Sequence, residues 1–245
     1  MRQEKKEKPE TGGNVMGLFD IFKKKKVQKE ETKYPEYLYS ERELDEYEAY
    51  IKKAFGKYEK VFHEIVSPDI HLDVIIIPPS DEEDYYKLVT MGAGAYTMNV
   101  PSELEQYELE HAEYVIYLPK EWNLESNAQK DYWPIGMLKQ IARIPIYCNT
   151  WLGFGHTVHG DEKQSPFAEN TMLNSILLLN AVGMDGEMCE VKLKSGKHIH
   201  FYQLMALYQE ELDYKLKTNV EELLNRFPDE EFPPVVNPNR KNYCI

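Results

Sequence analysis

The sequence lacks most of the features that announce a chemistry. It holds three cysteines, Cys148, Cys189 and Cys244, with no C-x-x-C spacing. That set excludes a disulfide framework and a cysteine-built zinc site, and its simplest setting is a reducing cytoplasm. No apolar run approaches the roughly 18 residues that a membrane span needs. The longest runs, around residues 75–77 and 176–179, are strand-sized. The charged start has no apolar core of the kind a secretion signal requires. Phosphate-cradling loops of the Gly-x-x-x-x-Gly-Lys-Ser/Thr and Gly-x-Gly-x-x-Gly types are missing. The nearest mimic, Met91-Gly92-Ala93-Gly94-Ala95, follows a strand pattern, but no helix with a phosphate-binding lysine opens after it. There is no Gly-x-Ser-x-Gly nucleophile elbow. A basic stripe interleaved with aromatics is absent too, which disfavours nucleic acid as a partner.

What is present is acid and tyrosine. The first 33 residues carry ten Lys/Arg and six Asp/Glu, a net of +4. The other 212 carry 19 and 36, a net of −17. Such a body is repelled by phosphates and attracts a basic protein. Solubility alone is the plainer explanation. The chain also has 18 tyrosines, a residue that serves protein interfaces and half-buried strands alike.

Residues 1–34 read as a disordered, lysine-rich extension, and residues 35–245 as one α+β or mixed α/β domain. Inside the extension, Met16-Gly17-Leu18-Phe19-Asp20-Ile21-Phe22 precedes four lysines, so residues 16–26 resemble a weak membrane-docking foot. Ser40 with Glu43 predicts a capping box, and apolar residues from Leu44 to Phe62 recur at helical spacing. Strands are expected over 70–77, 85–90, 97–100, 112–118 and 172–179. A hairpin is expected over 187–202, around Lys194-Ser195-Gly196-Lys197. Trp133-Pro134 is expected to open a helix that Pro145 ends. A second helix is expected over 204–217 and a short one over 220–227.

The histidines are the main chemical candidates. His156 and His159 lie three apart in a glycine-flanked loop ahead of Asp161, and would converge on a metal only across a bend. His198 and His200 are two apart and share one face of a strand, a better metal geometry. Half-exposed histidines without a ligand are commoner, so no metal and no cofactor is assigned.

A resemblance adds to this reading. Trp133-Pro134-Ile135-Gly136-Met137-Leu138-Lys139-Gln140-Ile141-Ala142-Arg143 resembles the signature helix of the Suppressor-of-fused family. Ahead of it, Tyr114-Val115-Ile116-Tyr117-Leu118-Pro119-Lys120-Glu121-Trp122 is similar to that family's strand, Leu-Pro and Trp element. After it, Asn149-Thr150-Trp151-Leu152-Gly153-Phe154-Gly155-His156-Thr157 resembles a loop of the bacterial branch. The likeness spans roughly residues 45–227. It implies a mixed β-sheet flanked by helices and no known catalysis. In animals the family member binds and restrains zinc-finger transcription factors. Bacterial relatives are often inferred to be immunity proteins that neutralise toxins of polymorphic toxin systems. One departure stands out: the animal protein carries an acid in the turn after its second strand, where this chain has Gly92-Ala93-Gly94-Ala95.

The expectation is therefore a non-enzymatic binder of a protein, with a basic toxin domain as the candidate partner and Trp151, His156, His159 and Asp161 as the binding residues. Two alternatives stay open: a metal-assisted hydrolase using the His156/His159 loop, and a peripheral membrane adaptor acting through residues 16–26.

Overall fold

The structure is a computed structural model that describes residues 36–64 and 69–245. The expected extension over 1–34 and the docking foot over 16–26 lie outside the described residues. Helix α1 (Glu41–Ala54) begins where the capping box predicts: Ser40 Oγ accepts from the Glu43 N–H, and the Glu43 carboxylate accepts from the Ser40 N–H at 2.8 Å. It stops earlier than its apolar spacing implies. Gly56, at φ +115°, turns the chain. Phe62 then belongs not to the helix but to strand β1 (Lys60–Phe62).

Among the described residues, one mixed sheet of eight strands carries the fold. β1 pairs antiparallel with β2 (Asp73–Ile77), β2 with β3 (Tyr85–Met91), and β3 with β4 (His111–Pro119). β4 then pairs in parallel with the ten-residue β8 (His198–Leu207). Beyond β8 lies β6 (Ser175–Asn180), edged by β5 (Thr157–His159). The short β7 (Glu190–Lys192) forms the expected hairpin with β8.

Both faces of the sheet are covered, which is why β2 is apolar from Val74 to Ile77 and buried throughout. On one face Ile75, Val89, Val115 and Phe201 pack under α1 through Tyr47, Ile51 and Phe55. Burying a side chain of that size stabilises by about 1.5–3 kcal/mol. On the other face Val74, Leu88, Tyr114 and Leu204 pack against α2 (Gln129–Ile141) and α3 (Ile144–Cys148). Helices α4 (Gln209–Lys217) and α5 (Val220–Leu224) cover the far end of β6 and β8.

Several expectations are corrected. Residues 97–100 form no strand, because their backbone bonds go to loops, Met98 N–H to Glu110 O and Asn99 N–H to Thr150 O. Short 3-10 turns over Ala93–Ala95 and Ser102–Tyr107 flank them instead. α2 opens at Gln129, ahead of Trp133-Pro134, and the Trp122 indole N–H anchors its first turn on Asp131 O at 2.8 Å. Pro145 does not end a helix; it sits in the first turn of α3, where its missing N–H costs nothing. Residues 204–207 are strand rather than helix. With both faces of β8 packed they stay buried along its whole inner length, so their apolar run carries no helical period.

Near the start of β4 sits Glu113, fully buried. Its Oε1 accepts from Tyr39 Oη at 2.8 Å and from the N–H groups of Gly92 and Gly94 at 2.9 and 3.0 Å. Its Oε2 accepts from Thr90 Oγ1 at 2.5 Å. The turn that lacks an acid of its own thus receives one from the neighbouring strand. Burial pushes the carboxyl up to about 7, against the pull of these four donors. Because the folded value lies above the free one, the group's contribution is complete below pH 4.5 and is lost as pH rises through about 7. The stability gap between wild type and Glu113→Gln is therefore expected to narrow by about 3 kcal/mol over that range, read from urea unfolding at each pH. A gap that does not vary with pH would contradict this. Gly92 makes a second test. At φ +125° its missing Cβ would stand 1.9 Å from His71 O, so Gly92→Ala is expected to lose more than about 3 kcal/mol of stability.

Candidate binding groove

The site follows from how β8 is shared. Its alternation sends His198, His200 and Tyr202 to the face that Leu204 and Ala206 occupy further along. There the helices no longer cover the sheet, and the two histidines are half-buried. The two-residue spacing does place them side by side, with ring centroids 4.4 Å apart. β6 and β7 take the same edge of β8 in turn, Asn180 facing Tyr202 and Glu190 facing His200. Between them residues 182–188 form an excursion closed by a Val182–Met188 bridge, while Ala181 and Cys189 stay buried and bonded to Phe201. A groove of about 410 Å³ opens beside it. Trp151 and Phe154 wall it from one side and Met188 from another, with Tyr107 at its rim. Phe154, Met188 and Tyr107 are 51%, 62% and 55% exposed.

Polar groups line the sheet side. Glu108 adopts a left-handed backbone at φ 51°. Its carboxylate takes Lys192 Nζ at 2.8 Å on both oxygens and faces His198 Nδ1 at 3.1 Å. Its carbonyl faces His200 Nε2 at 3.1 Å. The hydrogen bond from Lys192 holds the Glu108 carboxyl below the usual range. Burial, and then the neighbouring His198, push the His200 pKa down.

The four residues expected from sequence fall into two places. Trp151 lines the groove, and His156 packs against it with ring centroids 4.4 Å apart. The loop is held because Gly153 N–H donates to His156 Nδ1 at 3.3 Å, while Gly155 N–H and Leu178 N–H tie it to β6. Burial lowers the His156 pKa. His159 lies at the far end of β5, with Nδ1 against Ser175 Oγ at 3.1 Å. Asp161 accepts from Ser165 N–H at 2.9 Å; although burial works to raise its pKa, this bond brings it down. Neither lines the groove, and the imidazoles of His156 and His159 take separate partners. Glu108, Tyr107, Met188 and Glu190 were not singled out in the sequence. They come from two segments far apart in the chain, around 107–108 and 188–190, and no local spacing links the two.

The placement of the Trp151 ring is testable. A Cβ at Gly153 would stand 2.8 Å from the indole. Gly153→Ala is expected to shift tryptophan emission to longer wavelength with a stability loss below about 1 kcal/mol. Unchanged emission would show that the ring is not held against that glycine.

Residues 68–241 match the sequence model of the family described as Suppressor of fused protein. An uncharacterized protein of Ureaplasma parvum serovar 3 is 26% identical over 210 residues, 84% of this chain and 98% of its own. Among solved structures, a putative Suppressor of fused homolog from Neisseria gonorrhoeae superposes with a TM-score of 0.54 at 19% identity, over 80% of this chain and 93% of that one. Drosophila Suppressor of Fused gives a TM-score of 0.48 at 16% identity, over 70% of this chain and 42% of that one. The Neisseria protein shares the fold described above.

Proposed function

The chain belongs to the Suppressor of fused family, and from that premise we propose that it is a non-enzymatic protein-binding module that seats a partner in the groove beside Trp151. The observation that carries this reading is the meeting of three exposed large apolar side chains, Tyr107, Phe154 and Met188, in one concave place. Aromatic rings and methionine are enriched at interface centres, where they pack without fixing one partner shape. Trp151 makes the central contact, His156 holds its ring, and His159 and Asp161 brace the far end of the same loop. The binding body is the single domain over 35–245, working in the cytoplasm. No helix among the described residues is long and apolar enough to cross a membrane.

The partner is basic. A body with a net charge of −17 outside its first 33 residues speeds the approach of a cationic protein and repels nucleic acid. Within the family resemblance this fits an immunity protein that neutralises the toxin domain of a bacterial polymorphic toxin system.

The test is affinity capture from the native cell at low salt, with wild type, Trp151→Ala and Phe154→Ala. Wild type is expected to retain one stoichiometric basic partner, which added salt weakens. Each substitution is expected to cost about 2 kcal/mol, roughly thirtyfold in affinity. A partner retained equally by all three proteins removes the groove from the reading, and no stoichiometric partner removes the reading. For the toxin assignment, co-expression of the captured domain must arrest growth unless this chain is present.

A further inference from the structure

We propose that Glu190, His198 and His200 form a site for one divalent transition metal of the zinc class, open to the groove. Among the described residues, theirs are the His, Cys, Asp and Glu side chains that converge as a group of three, with one ligand atom from each inside 4.8 Å. The Glu190 carboxylate stands 3.5 Å from His198 Nε2 and 3.6 Å from His200 Nδ1. A tetrahedral zinc with bonds of about 2.1 Å sets its ligand atoms about 3.4 Å apart. Two edges of the tetrahedron are therefore already drawn.

The hydrogen-bond accounting points the same way. His198 Nδ1 faces the Glu108 carboxylate at 3.1 Å, and His200 Nε2 faces the Glu108 carbonyl at 3.1 Å. Both partners are acceptors, so each of these nitrogens carries the proton. In neutral imidazoles the other nitrogens, His198 Nε2 and His200 Nδ1, then hold bare lone pairs, and both face a third acceptor in Glu190. Three acceptors meeting without a donor repel one another unless a cation sits among them. Glu108 also supplies what zinc-bound histidines normally have, an acceptor on the distal nitrogen that fixes the tautomer and strengthens the donor. One residue does this for both rings, through its side chain and its backbone. Its left-handed φ of 51°, costly for a residue with a Cβ, aims both groups at once.

Two histidines and one carboxylate leave a fourth position. All three ligands line the groove, so that position faces it and takes a water or a donor atom from whatever binds there. The competing arrangement is a protonated His198 donating to Glu190, with no metal. It leaves His200 Nδ1 facing the Glu190 carboxylate at 3.6 Å with no donor between them.

The experiment uses tag-free full chain stripped with a chelator, then titrated with Zn²⁺ against a chromophoric competitor and with Co²⁺ by visible absorption. One metal per chain and the d–d bands of tetrahedral Co²⁺ are expected. His198→Gln, His200→Gln and Glu190→Gln should each weaken binding at least tenfold, and Glu108→Gln about 10–100-fold. His63→Gln, at an exposed imidazole outside the groove, should leave metal affinity unchanged. Glu190 is half-exposed at the sheet edge, so its variant keeps the fold, and an unchanged melting midpoint in chelator verifies this. Absence of stoichiometric binding overturns the site. So does binding that survives His198→Gln and His200→Gln, or Co²⁺ spectra of the free aqueous ion. Neither outcome bears on whether a protein occupies the groove, which the capture experiment decides separately.

Discussion

The parallel pairing of β4 with β8 is the constraint on which the groove depends. A parallel pair cannot be closed by a tight turn, so the chain from Pro119 to His198 must travel round and return. On that journey it lays down α2, α3, the Trp151 loop, β5, β6 and β7. β8 is longer than β6, its antiparallel partner, so its first residues are left for β7 to pair. The excursion at 182–188 is the seam between the two. A groove forms there because the 182–188 excursion, an uncovered strand end and a glycine-rich loop meet at one place. The same strand thus supplies core through Leu204 and Leu207 and the site through His198 and His200.

The core that holds this arrangement is pinned by buried charges, each with its partners. Arg143 bridges Asp69 at 3.0 Å and Glu64, and Tyr147 donates to Asp69, which ties α2 and α3 to the approach to β2. Arg240 grips Glu211 with both guanidinium nitrogens and also donates to Ala206 O, which fastens the C-terminal segment across the end of β8. Such pairs add little net stability over apolar replacements but leave a large penalty if one member is lost. They therefore act as fasteners, holding segments far apart in sequence in one register. Glu113 differs, because no cation answers it. Neutral donors from β3, the following turn and Tyr39 do, and burial leaves its proton affinity high.

The legible parts of the sequence were those with local causes. The Ser40 capping box, the β-branched run that ends β2 and the turn at Lys194-Ser195-Gly196-Lys197 each fix a conformation from within a few residues, although β2 starts at Asp73, three residues later than its expected start. The errors have tertiary causes. Residues 204–207 looked helical only because a strand buried on both faces loses its alternation, and what covers it comes from α2, α4 and α5, elsewhere in the chain. Pro145 looked like a stop because nothing local shows that a second helix starts on it. Within the site, the neighbourhood of His198 and His200 was visible as a spacing of two. Glu108 and Glu190 were not, since one reaches the histidines from a 3-10 turn and the other across a hairpin. Trp151 stood out through its glycines, whereas the separation of His156 from His159 depends on β5, a three-residue strand that no periodicity could reveal.

Charge joins the parts into one argument. An acidic surface by itself gives a diffuse field, which speeds encounters and selects sign but not shape. Specificity needs a place where apolar contact and fixed polar groups coincide. In the proposed groove, at the seam of β8, Phe154, Met188 and Trp151 would offer packing, and Glu190 and the two imidazoles would offer donor atoms beside Glu108. Lys192 neutralises Glu108 through both carboxylate oxygens, so the local negative charge left to meet a partner or a cation belongs to Glu190. On the proposed reading the two halves of the groove divide the work: the Trp151 loop supplies the packing, and the exposed carboxylate on the short strand β7 supplies the charge.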